Sequence, residues 1–465
     1  MTEALKNHTF ASMRIGDQAS LTRTVGVNDI SMVAALSGDV SPASLEPIFA
    51  GAARGHSAAH GSWTAAMVAA VLGTRLPGPG TIQLEQDFRF LVPAMPGDTI
   101  TATVRVTEKR DEGRIVSLDA ICTNQRGERV LEGTATVIAP ETDMTLPAAP
   151  APQAVLLPAS RYIPFIKEAR SLPPIRAAIV HPCSRAAILG AIEVRDEGLL
   201  DPLLIGPEAK IRAAADEAGV SLDGIDVEGT EHSHAAAARA VELAVSRRVD
   251  VLVKGSLHTD ELLSAVVARD SGLRTARRIS HAYVMDVPAY GKPVIVTDAA
   301  INIAPTLDHK RDIAQNAIDL MHLLSVDQPR VAILAAAETV NAAMPATLDA
   351  AALTVMAARG QITGGLVDGP LGFDNAISPE AAQTKGIISA VAGQADILLV
   401  PDLEAGNMLA KQLIYFAGAT AAGLVLGARV PIVLTSRADP LSARIASAAL
   451  AKLIVARKAA QGVLA

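Results

Sequence analysis

The sequence has few aromatic side chains, few cysteines and no long apolar run. Only 3% of its 465 residues are Phe, Trp or Tyr, and Trp63 is the single tryptophan. This scarcity excludes a binding platform of stacked aromatic rings. The two cysteines, Cys122 and Cys183, exclude a disulfide framework and fit a reducing cytoplasm. Because no apolar run reaches about 18 residues and the start lacks a signal-peptide core, we expect a soluble, unexported cytoplasmic protein.

Concentrated basic charge is also missing. The net charge is −7, and the 41 Lys and Arg form no long run. Nucleic acids and membrane surfaces both attract a concentrated basic field, so we expect neither as a partner. There is no Walker A motif, since Gly291 and Lys292 are followed by Pro293, and there is no G-x-G-x-x-G motif. Nucleotide hydrolysis and nicotinamide chemistry therefore lack their usual phosphate-binding loops.

Length and composition divide the chain. A chain of 465 residues is too long for one ordinary core. Residues 139–159 are rich in Pro and Ala, carry little charge and show no period, which is typical of a semi-extended connector. We predict a first domain over residues 1–140, a linker over residues 141–160 and a second part over residues 161–465.

The first 140 residues predict two helices and a sheet. Residues 27–37 have helical apolar spacing beginning at the N-cap types Asn28 and Asp29, and Trp63, Met67 and Val71 share one face of a second helix. The period then changes to two in four runs: Ile82, Leu84, Phe88 and Phe90; Ile100, Ala102, Val104 and Val106; Val116, Leu118, Ala120 and Cys122; Leu131, Gly133, Ala135 and Val137. These runs predict an antiparallel sheet wrapped on one helix, an α+β fold.

The order of these elements, with the phrases LSGDVSP, AHG, LPGPGTI and PGDTITATV, resembles the MaoC-like hot-dog domain, whose members hydrate 2-enoyl-CoA thioesters. In that family an Asp and a His of the motif Gly-Asp-x-Asn-Pro-x-His activate water. This sequence keeps Asp39, but Ser44 stands at the histidine position and Ser41 at the asparagine position. Since a hydroxyl loses its proton only far above neutral pH, Ser44 cannot act as that base.

Two interpretations of this first domain stay open. His60 and Gly61 match a family His-Gly that shapes the pocket, and His56 lies in the same stretch, so one interpretation has a relocated histidine as the base. In the other, which we favour, the hot-dog fold serves dimerisation or thioester binding with weak or absent hydration.

Short apolar strands alternate with Ala-rich helices in the second part. The predicted strands cover residues 177–180, 203–205, 250–253, 293–297, 330–334, 365–367, 397–400 and 432–434, and the predicted helices include residues 186–197, 235–246 and 376–392. This alternation predicts an α/β fold with parallel sheets. We expect a helix and small-residue packing over residues 406–427. The loops at residues 401–407 and 435–440 would then converge at the carboxyl ends of parallel strands.

Several stretches of this part resemble the phosphate acetyl/butyryltransferase family, which moves an acyl group between coenzyme A and inorganic phosphate. They are VKGSLHTDELL (253–263), RRISHAYVMD (277–286), VDGPLGFDNAISPEAAQTKG (367–386), PDLEAGNMLAKQL (401–413) and PIVLTSRAD (431–439). The resemblance implies two α/β subdomains about a cleft, the first over residues 161–285 and 438–465 and the second over residues 286–437. It implies acyl-CoA, inorganic phosphate and acyl phosphate as partners, and no metal or redox cofactor. We also expect a homo-oligomer.

The resemblance places the chemistry in SRAD. Ser436 would donate to the carbonyl oxygen or the sulfur, and Arg437 would hold phosphate oxygens with its planar fork of N–H groups. The acetyl-type branch carries an Asp seven residues beyond the Ser as thiol base, but Ala443 stands there, which makes the butyryl-type branch the expected closer relative. Asp439 is the nearest carboxylate, and it would serve either as the thiol base or as the N-cap of the helix that follows.

The remaining candidates for substrate binding lie near ends of the predicted strands and in the loop motif EAGN. They are Lys254, Ser256, His258, Arg277, Arg278, Asn407 and Lys411. The arginines and lysines carry charge for phosphate groups, and Gly255 would let the backbone approach an anion.

The resulting prediction is a fusion of a hot-dog domain with a phosphate acyltransferase acting on short-chain acyl-CoA. A non-catalytic sensor or scaffold that binds CoA thioesters is the first alternative, because the expected proton carriers at Ser44 and Ala443 are missing. A decarboxylating dehydrogenase of similar two-subdomain shape is the second, and it would require NAD and a divalent metal.

Overall fold

The structure is a computed structural model that describes residues 4–38, 61–147, 160–434 and 439–462. Its contacts divide the chain into two compact units, Met1–Leu157 and Pro158–Ala465.

The first unit is an antiparallel sheet with a helix on one face. Its elements are β1 (Leu5–Lys6), β2 (Gln18–Thr24), α1 (Val27–Ser37), α2 (Gly61–Thr74), β3 (Ile82–Phe90), β4 (Thr99–Arg110), a 3₁₀ turn (Glu112–Arg114), β5 (Ile115–Thr123), β6 (Arg129–Ile138) and β7 (Thr145–Leu146). The main sheet has the strand order β2-β4-β5-β6-β3, with every pair antiparallel. This arrangement confirms the α+β prediction.

Helix α1 has the predicted bounds but a different N-terminus. Gly26 is the N-cap, and Asp29 lies at the third helical position, where its carboxylate accepts the Gly26 N–H at 2.8 Å. An acidic side chain can bond back to the N-cap from that position, which is why Asp29 belongs inside the helix. Helix α2 buries Trp63, Met67 and Val71, as the spacing predicts.

The period-two runs behave differently at the centre and at the edge of the sheet. Over residues 100–106 of β4 and 116–122 of β5, every second residue is apolar and its side chain is fully buried. In the edge strand β3, by contrast, Ile82, Leu84 and Phe90 are 58%, 52% and 55% exposed. Alternation therefore identifies the strand but does not reveal that the core fails to cover it.

The start of the proposed linker belongs to the first unit. Strand β7 pairs with β1, with Leu5 opposite Leu146, and Asn7 donates to the Thr142 carbonyl at 2.9 Å. The two ends of this unit are thus bonded together, and residues 148–159 lie outside the described residues.

The second unit alternates strands and helices. Its elements are α3 (Tyr162–Ser171), β8 (Ile175–Val180), α4 (Arg185–Asp196), β9 (Leu200–Gly206), α5 (Glu208–Ala218), β10 (Asp226–Gly229), α6 (Ser233–Val245), β11 (Val251–Lys254), α7 (Thr259–Val267), β12 (Ser280–Asp286), β13 (Val294–Thr297), α8 (Leu307–Leu323), β14 (Arg330–Leu334), α9 (Pro345–Ala358), β15 (Leu366–Leu371), α10 (Phe373–Ile377), α11 (Pro379–Thr384), β16 (Ile397–Leu399), α12 (Leu403–Tyr415), β17 (Thr420–Leu426), β18 (Ile432–Val433) and α13 (Leu441–Ala460).

These strands form one 11-stranded mixed sheet. Its order is β10-β9-β8-β11-β18-β17-β12-β13-β16-β14-β15. The first five strands are parallel to one another, and so are the last four. The three pairings from β18 to β13 are antiparallel, so direction reverses three times and the two parallel halves run opposite to each other. No described helix is long and apolar enough to span a membrane.

Two sequence predictions about this unit are wrong. Helix α12 ends at Tyr415, and residues 420–426 form β17, a buried strand that pairs with β12 and β18. Strands β16 and β18 consequently lie in opposite halves and not in one parallel array. The helix predicted over residues 376–392 does not form as one helix. Ser378 caps a new short helix that begins at Pro379, a residue that cannot continue the preceding one, and residues 385–392 are not helical.

Candidate functional site

The site begins where β18 ends against β17. Leu434 donates its N–H to the Gly423 carbonyl, and a Cβ on Gly423 would stand 2.4 Å from the Leu434 carbonyl oxygen. Glycine is therefore required by the close approach of the two backbones. The same missing Cβ leaves room for two rings of β12, because His281 Nε2 and the Tyr283 ring edge lie 3.3 Å from its ideal position.

His281 and Tyr283 form an edge-to-face pair under this strand end. Their ring centroids are 4.4 Å apart at an interplanar angle of 75°. His281 is 1% exposed, and its Nδ1 has no hydrogen-bond partner in the part of the chain that the structure describes. Burial lowers the pKa of His281 to about 4, although the nearby Asp298 carboxylate opposes the shift. The imidazole is thus neutral at pH 7.

Asp298 organises the loop that follows β13. It is 2% exposed, and its carboxylate accepts the N–H groups of Ala300 and Ile301 at 2.9 Å each. It also accepts from the Asn302 side chain, whose oxygen in turn accepts Arg278 Nε at 2.7 Å. The buried charge is satisfied by these donors, which fixes the loop and orients Arg278.

Lys254 and Ser256 lie at the carboxyl end of β11, as the sequence predicts. Gly255 separates them, and a Cβ there would stand 2.5 Å from the Val180 carbonyl oxygen. Gly255 is therefore needed for contact between two backbone segments of this chain, which differs from the predicted approach to an anion. The Ser256 hydroxyl lies 2.8 Å from the hydroxyl of Ser184, the N-cap of α4.

Three other candidates have structural surroundings of their own. His258 is the N-cap of α7, although its side chain makes no capping bond. Arg277 forms an exposed ion pair with Asp319 of α8, and Asn407 donates to the Ala299 carbonyl at 3.2 Å. Lys411 is exposed on α12. The contacts of the described residues link Arg278 and Asn407 to the loop after β13, and Ser256 to the end of β8.

Asp439 lies beside Tyr283. Burial first, and the Asp439 charge second, raise the pKa of Tyr283. The N-cap of α13 is Pro440, so Asp439 precedes the cap and the expected capping role is wrong. Ser436 and Arg437 lie outside the described residues, between the end of β18 and Asp439.

The catalytic candidates of the first unit also lie outside the described residues. These are Asp39 and His60, together with Ser41, Ser44 and His56. Gly61 is the first residue of α2, and a Cβ there would stand 2.8 Å from the Phe90 ring. Its role in the described part is to admit that ring.

Sequence reasoning missed His281, Tyr283, Asp298 and Asn302. Two of them belong to the motif RRISHAYVMD, which was interpreted only through its arginines. A polar His within an otherwise apolar strand was the available signal. Asp298 directly follows β13 and Asn302 lies four residues further on, and neither residue belongs to a stretch that resembles the family. No group of three or more potential metal ligands occurs among the described residues.

Comparisons with known proteins agree with both parts of the chain. Residues 231–452 match the family described as phosphate acetyl/butaryl transferase, and residues 12–122 match the MaoC like domain. The phosphate acetyltransferase of Rickettsia felis is 58% identical over 64% of this chain and 85% of its own length. The probable phosphate butyryltransferase of Bacillus subtilis is 46% identical over 57% of this chain and 88% of its own. The Rickettsia felis acetyltransferase is thus more similar to this chain than the Bacillus subtilis butyryltransferase, contrary to the closer kinship to the butyryl-type branch expected from Ala443.

A solved structure shares the second unit. The branched-chain phosphotransacylase of Enterococcus faecalis V583 has a TM-score of 0.54 and 29% identity, and the match covers 60% of this chain and 99% of that one. The fold and these relatives define an acyltransferase joined to a MaoC-like domain. The chain belongs to the phosphate acetyl/butaryl transferase family.

Proposed function

We propose that the second unit transfers a short acyl group between coenzyme A and inorganic phosphate. One observation carries this proposal. Strand β12, the loop after β13 and the close β17–β18 contact share one buried polar cluster. This cluster lies at Leu434, and the family's reaction residues Ser436 and Arg437 follow Leu434 in the chain. These contacts hold β12 and the β17–β18 strand end in place, and rigid support of this kind favours precise placement of catalytic groups.

In the proposed reaction a phosphate oxygen attacks the thioester carbonyl. The tetrahedral oxyanion collapses, the carbon–sulfur bond breaks, and the CoA thiolate takes a proton as acyl phosphate forms. We assign Arg437 to the phosphate oxygens and Ser436 to the carbonyl oxygen or sulfur. Lys254, Ser256, His258, Arg277, Arg278, Asn407 and Lys411 remain proposed substrate-binding residues. The two substrates suffice for this chemistry, so we propose no resident cofactor.

The thiol needs a proton partner, and the residue at the base position of the acetyl-type branch cannot supply it. Ala443 is buried on α13 and has no group that exchanges protons. Asp439 is the neighbouring carboxylate, and its charge acts on Tyr283. We propose that Asp439 plays a secondary part, because CoA thiolate can also take its proton from water.

Phosphate-dependent release of CoA thiol, followed with a thiol reagent across acetyl-, propionyl- and butyryl-CoA, tests the proposal. We expect Arg437→Ala to reduce kcat/KM for phosphate more than tenfold, since a charge-assisted contact to a bound anion contributes roughly 1.5 to 3 kcal/mol. Arg359→Ala, at an exposed arginine after α9, is the control and should act like the wild type. A wild-type protein that releases no CoA with any of the three substrates contradicts the proposal.

For the first unit we propose a MaoC-like domain with weak or absent hydratase activity. Hydration needs water at the beta carbon and a proton at the alpha carbon, and loss of a general base typically removes a factor of about 10² to 10⁴. Ser44→His combined with Ser41→Asn should raise crotonyl-CoA hydration at least about tenfold. Strong wild-type hydration abolished by His56→Ala or His60→Ala would instead establish a relocated histidine.

We also propose a homo-oligomer in the reducing cytoplasm, where Cys122 and Cys183 stay unpaired. The strand β3 supports a second copy of this chain as partner, because it exposes Ile82, Leu84 and Phe90 and, among the strands that the structure describes, lies at the edge of the sheet. Light scattering measures the oligomeric state of the wild type and of Leu84→Lys, which places a charge on this strand. A wild-type monomer at micromolar concentration would refute it.

A further inference from the structure

A cavity of about 60 Å³ lies against the sheet of the second unit. Helix α4 forms one wall and α13 another, while β8, β11 and β18 contribute the floor. Val253, Lys254 and Gly255 place it at the carboxyl end of β11, and Val433 lines it two residues before Thr435. The cavity therefore adjoins the strand ends that precede the proposed reaction loop.

Small apolar side chains make most of the lining. Ala187, Gly190 and Ala191 face it from α4, and Ile179 and Val433 from the sheet. A Cβ added at Gly190 would stand 3.4 Å from Arg444 Cδ and 3.7 Å from Arg444 Nε. This spacing is ordinary van der Waals contact, so an alanine fits there and would occupy cavity space.

One lining side chain has a polar atom without a partner. Arg444 pairs with Glu193 of α4 at 3.1 Å through its terminal nitrogen. Its Nε is buried and makes no hydrogen bond in the described part of the chain. An unpaired buried N–H is unfavourable, and an acceptor oxygen on a bound molecule would satisfy it. The cavity thus combines mostly apolar walls with the polar groups of Ser184, Lys254 and Arg444, and Arg444 Nε is a buried N–H that no described residue accepts.

Size decides what can enter. An apolar protein cavity of about 150 Å³ holds benzene, which is about 25 Å³ for each carbon. At that ratio 60 Å³ accommodates two or three carbons. Acetyl and propionyl groups fit this space, and butyryl overfills it.

We propose that this cavity receives the acyl chain of the substrate, with Arg444 Nε facing an acyl oxygen, and that its volume sets a preference for two or three carbons. The inference rests on the proposed function and adds the substrate class. Gly190 determines the depth beside Arg444, and Ile179 bounds the cavity on the sheet side.

Two substitutions of opposite sign test the assignment. Gly190→Ala adds one methyl group to the cavity, and it suits a helix because alanine has the higher helix propensity. Ile179→Val removes one methylene from the floor. We expect Gly190→Ala to lower the propionyl-to-acetyl ratio of kcat/KM about tenfold, and Ile179→Val to raise the butyryl-to-acetyl ratio by a similar factor. Gly73→Ala, in helix α2 of the first unit where an added Cβ has no neighbour within 4 Å, is the matched control.

The outcomes separate this inference from the proposed function. Wild-type transfer with unchanged chain-length ratios in folded Gly190→Ala and Ile179→Val proteins overturns the cavity assignment and leaves the transferase intact. A wild type without phosphate-dependent CoA release overturns both. Circular dichroism checks folding, and Gly190→Ala should melt at or above the wild-type temperature, so a lost ratio cannot be attributed to unfolding.

Discussion

Lowering the pH from 7 to 5 should destabilise the second unit through His281. This imidazole is 1% exposed and sits beside the Tyr283 ring and the Asp298 carboxylate. Burial lowers its pKa to about 4, with Asp298 acting in the opposite direction. In the unfolded chain the same group titrates near its ordinary value of about 6.5.

The direction of this pH effect follows from the number of protons that the folded and the unfolded chain bind at His281. Between pH 6.5 and 4 the unfolded chain binds a proton at His281 that the folded chain does not, so the free energy of unfolding falls as the pH falls. The contribution is fully present above about pH 6.5. By pH 5 the loss amounts to about 2 kcal/mol, and near pH 4 it approaches about 3 kcal/mol.

Urea unfolding followed by two probes measures this effect. Trp63, the single tryptophan, is buried in the first unit, so its fluorescence reports on that unit, whereas far-ultraviolet circular dichroism reports on both. His281→Gln is the reference, because glutamine does not titrate. We expect the second-unit transition to lose about 2 kcal/mol more in wild type than in His281→Gln between pH 7 and 5. Equal losses in the two proteins would refute the reasoning.

Three further substitutions test the site and its support. Asp439→Asn removes a charge and should leave kcat within about threefold, whereas a hundredfold loss with intact folding would make Asp439 the base. Gly423→Ala places a Cβ 2.4 Å from the Leu434 carbonyl oxygen. We expect it to lower the free energy of unfolding by at least about 2 kcal/mol and to remove most transfer activity. A stable, active variant in melting and CoA-release assays would contradict the close contact. Lys452 is fully buried on α13 and donates to two backbone carbonyls at 2.7 and 2.8 Å. Lys452→Met should lower the free energy of unfolding in urea by roughly 2 to 4 kcal/mol, because both carbonyls lose their donor. An unchanged midpoint would show that water replaces the ammonium.

Local sequence pattern predicted most elements of both units. The alternation in β4 and β5 identifies the buried face because successive side chains of a strand point to opposite sides. Helix α2 is predicted by the spacing of Trp63, Met67 and Val71, because side chains four positions apart lie on one face of a helix. Lys254 and Ser256 were placed at the end of a strand because a polar pair there follows an apolar run.

Long-range pairing decided the rest. Thr420–Leu426 combines small residues with Leu and Val and shows no alternation of polar and apolar side chains, and its pairing with β12 and β18 selects the strand. Together with the antiparallel pairing of β12 and β13, it makes the two parallel halves of the sheet run in opposite directions. It also brings Gly423 against His281, a residue 142 positions away in the chain by the difference of the two numbers.

Motifs and periodicities are local properties of the chain, so the amino-acid sequence alone was sufficient to predict the family, the two-part organisation and the likeness to an acyltransferase. Contacts between distant segments were needed to establish that Asp439 precedes its helix cap, that Arg277 pairs with Asp319, and that His281 and Asp298 share a buried site. These facts depend on which distant segments exclude water together. Burial and charge at one atom are set by neighbours that no local pattern specifies.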